Sequence, residues 1–270
     1  MTTTTLGHPR GRPARMDQAR AVLLTRVGII LALLAIWEVT ARSGLLYRDV
    51  VPSMLLIMRA LAHLLVEPTF YANLGVTAGE VALAILIGGG AGVTVGILLG
   101  SNRFLQRAYE PLLHYLGPTP KIIFFPLLIM WFGVGPGSKV AMGALSSFFP
   151  VAISVAAAMR EIDTVLIRVG LSFRLNVGQM ISKISLPAMR APVTNGLRIG
   201  LGVAIIGTLL AETKLANQGL GYAVIQTYAT FDMPRMYALL IVVFLLAVGV
   251  NVVLGRYTEL RSARRPSDAH

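Results

Sequence analysis

The sequence predicts an all-α membrane protein of about six transmembrane helices with both termini in the cytoplasm, and three observations lead there. Of 270 residues, 55% are hydrophobic and 13% charged, against about 25% charged in an ordinary soluble domain. The apolar residues gather in uncharged runs long enough to cross a bilayer. The net charge of +12 is segregated between those runs. A mean hydropathy of +0.72 leaves too little polar surface for a basic nucleic-acid binder, and the absence of cysteine rules out a disulfide scaffold or thiolate-ligated metal site.

In chain order, residues 1–20 are Thr-, Arg- and Pro-rich with little to bury, so a disordered tail is expected. Residues 24–41 form the first span. Arg26, Trp37 and Arg42 flank it as interfacial anchors, and Glu38 lies near its end. No small-x-small cleavage site precedes a soluble domain, so this segment reads as an uncleaved helix and not a signal peptide. Residues 53–67 are apolar, but Arg59, His63 and Glu67 recur at four-residue spacing. Such a helix is expected to lie along the outer surface of the membrane.

The second span, 79–101, contains a charge-free run at 81–102, and the fourth and sixth, 139–159 and 236–256, contain runs at 140–159 and 236–255. Each run matches the roughly 20 residues that cross a hydrocarbon core. Gly88, Gly92, Gly96 and Gly100 in the second span, and Gly196 and Gly200 in the fifth (192–212), make small-xxx-small ridges for close helix packing. Residues 103–121 are amphipathic with three prolines and read as an elbow at the inner interface. The third span, 121–136, carries Pro126, whose missing hydrogen bond is tolerated beside a cavity and points to a translocation path. Arg198, within the fifth span, either pairs with another helix, snorkels, or meets an anionic substrate. Glu80 and Glu212 sit at outer ends of spans and read as solvated interfacial acids, with Glu212 also a candidate for the path.

Orientation follows from charge: with the N-terminus inside, seventeen of the 24 Lys and Arg residues fall on the inner side. The longest inner connection, 160–190, holds five basic and two acidic residues and reads as helical segments broken near 175–178. A long ordered loop on a chain that is otherwise membrane needs a partner to dock on. Residues 259–270 are expected as a second cytoplasmic tail.

Catalytic signatures are missing. No phosphate-binding G-x-x-x-x-G-K-[ST] loop exists, the four histidines are scattered, and neither H-E-x-x-H, G-x-S-x-G nor a buried carboxylate pair is legible. The expectation is a non-enzyme with no catalytic residues, metal or cofactor of its own. A self-sufficient carrier or channel is the alternative. It would ordinarily show ion-coupling acids in mid-span or an internal repeat, and neither can be read here.

Several stretches together resemble a known family: WEVTARSGLL, PLLIMWFGVGPGSK, FFPVAISVAAAMREID, ISLPAMRAPVTNGLRIGLG, and LLAET followed by GLGY. Over roughly residues 36–257 the chain is similar to permease subunits of type I ABC importers, in the nitrate/sulfonate/taurine group of binding-protein-dependent transporters. The resemblance implies a multi-pass permease of the bacterial plasma membrane. It also implies two ATP-binding cassette ATPases holding ATP and Mg, a second permease copy, an extracytoplasmic binding protein that delivers a small solute, and alternating access. The family signature is an EAA triplet, three residues, a glycine, then about a dozen residues ending in Leu-Pro. Anchored on Leu186 and Pro187, the triplet falls on Arg168, Val169 and Gly170 and the glycine on Arg174, with Leu171 and Leu175 alongside. Two arginines thus replace the family's acid and glycine in the loop that docks on the ATPase.

Overall fold

The computed structural model describes residues 15–44 and 50–262, with side chains for 20–44 and 50–256. Residues 1–14 and 263–270, which make up most of the two expected tails, lie outside the described residues. Every regular element among those described is helical. The chain divides after Arg59 into two units.

In the first unit, helix α1 (Arg15–Ser43) begins inside the expected tail and covers the first span. Glu38 is accounted for locally. One carboxylate oxygen accepts from Arg42 Nε at 2.7 Å, and the other accepts the backbone N–H of Met54 at 3.0 Å. It therefore satisfies an orphan donor at the start of α2 (Met54–Leu64), and Trp37 Nε1 donates to the Pro52 carbonyl at 3.2 Å. Helix α2 stops at Leu64, so Glu67 is not the third member of its polar face. Glu67 instead precedes Pro68 as the N-cap residue of the next helix.

The second unit is built around α7 (Pro136–Arg160), which packs against α3 (Pro68–Ala84), α4 (Gly90–Ser101) and α11 (Arg190–Lys214). Helices α3 and α4 are one rod joined by a π-turn at Ile85–Gly89. The glycines occupy the contact ridge: a Cβ on Gly92 would lie 2.8 Å from Phe148 O, and one on Gly96 2.6 Å from Val155 Cβ. On α11, a Cβ at Gly196 would meet Ser154 Cβ at 2.8 Å and one at Gly200 would meet Val151 Cγ2 at 2.5 Å. Three helices thus approach closely enough for backbone and short side chains to touch, as packing in lipid requires. Val151, Ala152, Val155 and Ala156 form the buried face of α7 between them.

The expected third span needs correction. Residues 121–136 contain a 3-10 turn at Lys121–Phe124 and only the eight-residue α6 (Phe125–Phe132), too short to cross alone. Together with α5 (Arg103–Leu116), to which it is bent by 92°, it has the length and composition of a broken span or a re-entrant loop. Pro126 does not break a helix. It lies in the first turn of α6, where a missing N–H leaves no bond unmade. Five helices among the described residues are long and apolar enough to span, or six counting this bent pair. A short helix that the sequence did not announce, α12 (Leu220–Ala229), precedes the last span α13 (Met233–Ser262).

Candidate functional site

The 160–190 connection leaves the end of α7 and returns to α11 as three short helices. Asp163 starts α8 (Thr164–Ser172) by accepting the Val165 N–H at 2.8 Å. Asn176 and Gln179 form a reciprocal capping box that starts α9 (Val177–Met180), and a π-turn leads to α10 (Leu186–Ala188). Ile162 and Met189, buried with Ala158, anchor both ends of the connection to the spans. Arg160 adds an ion pair to Glu110 of α5 at 2.5 Å.

The break expected near 175–178 begins at 173, and it has a definite geometry. Arg174 has φ of 51°, its N–H donates to Leu171 O at 2.9 Å, and the Leu175 N–H donates to Gly170 O at 3.1 Å. These two bonds and a left-handed residue are a Schellman helix end, whose left-handed position is ordinarily glycine. The family's glycine therefore has a backbone reason, and this chain places an arginine in the same conformation. Gly170 lies against the flexible ends of Ile184 and Met180, where a Cβ would meet Ile184 Cδ1 at 2.6 Å and Met180 Sδ at 2.7 Å unless those side chains moved.

What the connection shows to solvent is mixed. Val169, Leu171, Phe173 and Val177 are exposed, Phe173 and Val177 by 76% and 77%. Arg168 and Arg174 are exposed among them, as is Leu186, while Leu175 and Pro187 are half-buried. An apolar strip with basic groups and no acid between Thr164 and Met189 has the composition of a docking surface.

The candidate path residues do not gather with it or with one another. Arg198 donates from Nε to Asn251 Oδ1 of α13 at 2.5 Å, across helices, so it is paired inside the span. Pro126 is exposed on α6. Glu212 is fully buried at the opposite end of the unit from the 160–190 connection.

There the reading of solvated interfacial acids fails: Glu80 and Glu212 are 5% and 0% exposed. Glu212 Oε1 accepts from Thr77 Oγ1 at 2.7 Å and Oε2 from the Gly221 N–H at 2.6 Å. Thr77 accepts from Leu220 N at 2.8 Å, and Asn73 Oδ1 from Gly219 N at 2.9 Å. The N–H groups of the N-cap Gly219 and of the first two residues of α12 are thus capped by side chains from α3 and α11. Gly219, at φ 110°, would put a Cβ 2.5 Å from Glu212 Oε1. The stretches LLAET and GLGY are therefore one structural unit, which was the signal available in the sequence.

Residues 92–263 match the family described as binding-protein-dependent transport system inner membrane component. A putative aliphatic sulfonates transport permease protein of Bacillus subtilis is 30% identical over 210 residues, 78% of this chain and 76% of that protein. A taurine transport system permease protein of Escherichia coli is 28% identical over 261 residues, covering 93% and 94%. Among solved structures, a chain of the MetNI methionine ABC transporter, described as inward facing, superposes with a TM-score of 0.60. It is 20% identical and matches 77% of this chain and 96% of its own, which shows a shared fold.

Proposed function

The chain belongs to the family of binding-protein-dependent transport system inner membrane components. It is a multi-pass plasma-membrane permease subunit of an ABC importer, and we propose how it serves that importer. Two copies form the path, and each docks one ATP-binding cassette ATPase on its 164–188 connection. An extracytoplasmic binding protein delivers the solute to the opposite end. ATP and Mg are held by the ATPase, and this chain contributes no catalytic group, metal or cofactor. Both termini face the cytoplasm, in keeping with the basic 160–190 connection and the positive-inside rule. The names of the relatives point to a small sulfonate-bearing solute such as taurine, and nitrate-sized oxyanions belong to the same chemical range.

The observation that carries this reading is the exposed strip Val169, Leu171, Phe173 and Val177 with Arg168 and Arg174, on capped helices anchored to α7 and α11. A rigid lever of this kind can transmit force only if the ATPase binds two of its positions with different affinity. The arginines fit an ATPase groove that carries acids where a more usual partner meets glutamate and glycine.

The test uses the absence of native cysteine. A thiol introduced by Leu171→Cys or Leu175→Cys crosslinks to the ATPase in the assembled transporter, while one introduced at Arg48, which lies outside the described residues, does not. The purified chain hydrolyses no ATP, and the ATPase copurifies with it. Solute uptake into liposomes without any ATPase would overturn the proposal in favour of a self-sufficient carrier.

A further inference from the structure

Helices α11 and α13 leave an apolar groove of about 390 Å³ between them. Leu201 of α11 lines it, with Leu245, Gly249, Val250, Val253 and Leu254 of α13. Gly249 deepens the groove, since a Cβ there would meet nothing within 4 Å, and Leu245 and Val253 are more than half exposed. From Leu245 to Leu254 the helix rises about 14 Å at 1.5 Å per residue. That is close to the roughly 15 Å that one leaflet contributes to the hydrocarbon core.

One end of this groove is charged. Arg198, half-buried on α11, donates from Nε to Asn251 Oδ1 at 2.5 Å. The bond holds the guanidinium over Gly255, where a Cβ would lie 3.0 Å from Nη1 and 3.3 Å from Nη2. Gly255 is one turn beyond Asn251 toward the end of α13, so the side chain is drawn along the helix toward the interface. Asn251 is a neutral amide and does not balance the charge. Neither Nη atom has a hydrogen bond among the described residues. Arg256, exposed, follows directly on α13. Residues 190–211 and 233–258 hold four arginines and no acid. A cation at this depth needs an anion or water to meet it. Leu254 lines the groove and Gly255 seats the guanidinium, so the apolar and cationic parts are contiguous.

We propose that the α11–α13 groove binds an anionic phospholipid, with one acyl chain along Leu245–Leu254 and the phosphate on Arg198 Nη1 and Nη2 and on Arg256. A guanidinium whose Nε is already engaged presents its two remaining nitrogens as a fork that matches phosphate oxygens. The groove selects a lipid over a soluble anion because its length and apolar lining fit a chain that a free phosphate lacks. A lipid seated there braces the last span against α11. The binding chemistry depends only on these two helices. That the lipid comes from the inner leaflet rests on the proposed orientation with both termini in the cytoplasm.

Native mass spectrometry of the detergent-purified transporter with its ATPase tests the site. Phosphatidylglycerol and phosphatidylcholine of equal chain length are added in parallel. The native complex retains phosphatidylglycerol about tenfold more strongly. Arg198→Gln and Arg256→Gln each remove most of that preference. Arg256→Gln alters an exposed side chain and keeps the Arg198–Asn251 pair, so its effect is not a folding defect. Gly249→Phe fills the groove and lowers retention of both lipids with the arginines intact. Arg103→Gln, which removes an exposed charge from α5, changes nothing.

An equal loss in Arg103→Gln would reveal bulk charge attraction and overturn the site. Displacement by inorganic phosphate, with no effect of Gly249→Phe, would make it a free-anion site and overturn the lipid. A preference seen only in Glu259→Gln would assign the arginines to that acid, four residues past Gly255, with the same consequence. So would a photocrosslinker on Gly249→Cys that captures another span of the transporter in place of lipid. Labelling of Arg256→Cys by an impermeant maleimide on intact cells would overturn the orientation and the inner-leaflet assignment, while the retention measurements still decide the lipid site.

Discussion

Replacing Arg174 with glycine separates what the docking helix needs for folding from what it needs for its partner. Arg174 holds φ at 51° as the left-handed residue of the Schellman end of α8. An L-residue with a side chain costs roughly 1–2 kcal/mol in that conformation, and glycine avoids it. Glycine also loses more backbone freedom on folding, which returns about 0.4–1 kcal/mol. The Arg174 side chain is exposed and no hydrogen bond or ion pair of it is seen among the described residues, so truncation removes no native contact. Arg174→Gly therefore leaves thermal stability of the isolated chain unchanged or raises it by up to about 1 kcal/mol. Binding to the ATPase responds in the opposite sense. An arginine that meets an acid across a partly desolvated interface is worth roughly 1.5 kcal/mol or more, so ATPase retention weakens about tenfold and loses most of its salt dependence at this position. Arg174→Ala keeps the strain and loses the same charge, so it must match glycine in binding and fall below it in stability. The assays are thermal melting in detergent and ATPase copurification over a salt series. A glycine variant that melts lower than alanine would refute the backbone argument, and undiminished retention in both variants would refute the docking argument.

Other consequences can be checked in parallel. Arg168→Glu leaves melting of the chain unaltered and weakens ATP-driven transport with the native ATPase; unchanged transport would mean that the exposed arginines are incidental. Gly96→Val, whose Cβ alone would lie 2.6 Å from Val155 Cβ, costs about 3 kcal/mol or more of helix packing in lipid. Gly90→Ala, with nothing within 4 Å, is neutral or slightly stabilising. Equal melting of these two variants would remove the case for an α4–α7 ridge. Asn251→Leu strands Arg198 inside the span and destabilises more than the double variant Arg198→Met/Asn251→Leu, by about 1 kcal/mol. The reverse order would favour a role for Arg198 outside this pair.

The spans were legible because in lipid the constraint is one-dimensional. An uncharged stretch of about 20 residues has few alternatives to a crossing helix, and α3–α4, α7, α11 and α13 each contain the stretch expected there. Where the chain does not run straight, hydropathy lost its hold. Between α5 and α6 the chain bends by 92°, because Pro118 and Pro120 precede a 3-10 turn and Pro126 starts a fresh helix. Counting apolar residues from 121 to 136 could not show that the helix there is only eight residues long.

The acids illustrate a different limit. By position alone Glu80 and Glu212 stood at helix ends, where water is the default partner for a carboxylate. Both are buried instead, and Glu212 is held by the Thr77 hydroxyl and the Gly221 amide, which come from two other segments. The local clue was the glycine pair at 219 and 221, seven and nine residues after Glu212. Glycine fits there because φ is 110° and a Cβ would lie 2.5 Å from a Glu212 carboxylate oxygen. Arg174 argues the same point from the other side: there the left-handed backbone is present and the glycine is not. Stability alone would favour glycine at 174, as steric fit enforces it at 219. The difference between the two sites is solvent exposure, since a side chain at 219 would have nowhere to go, whereas the one at 174 points into the surface on which the ATPase is proposed to dock.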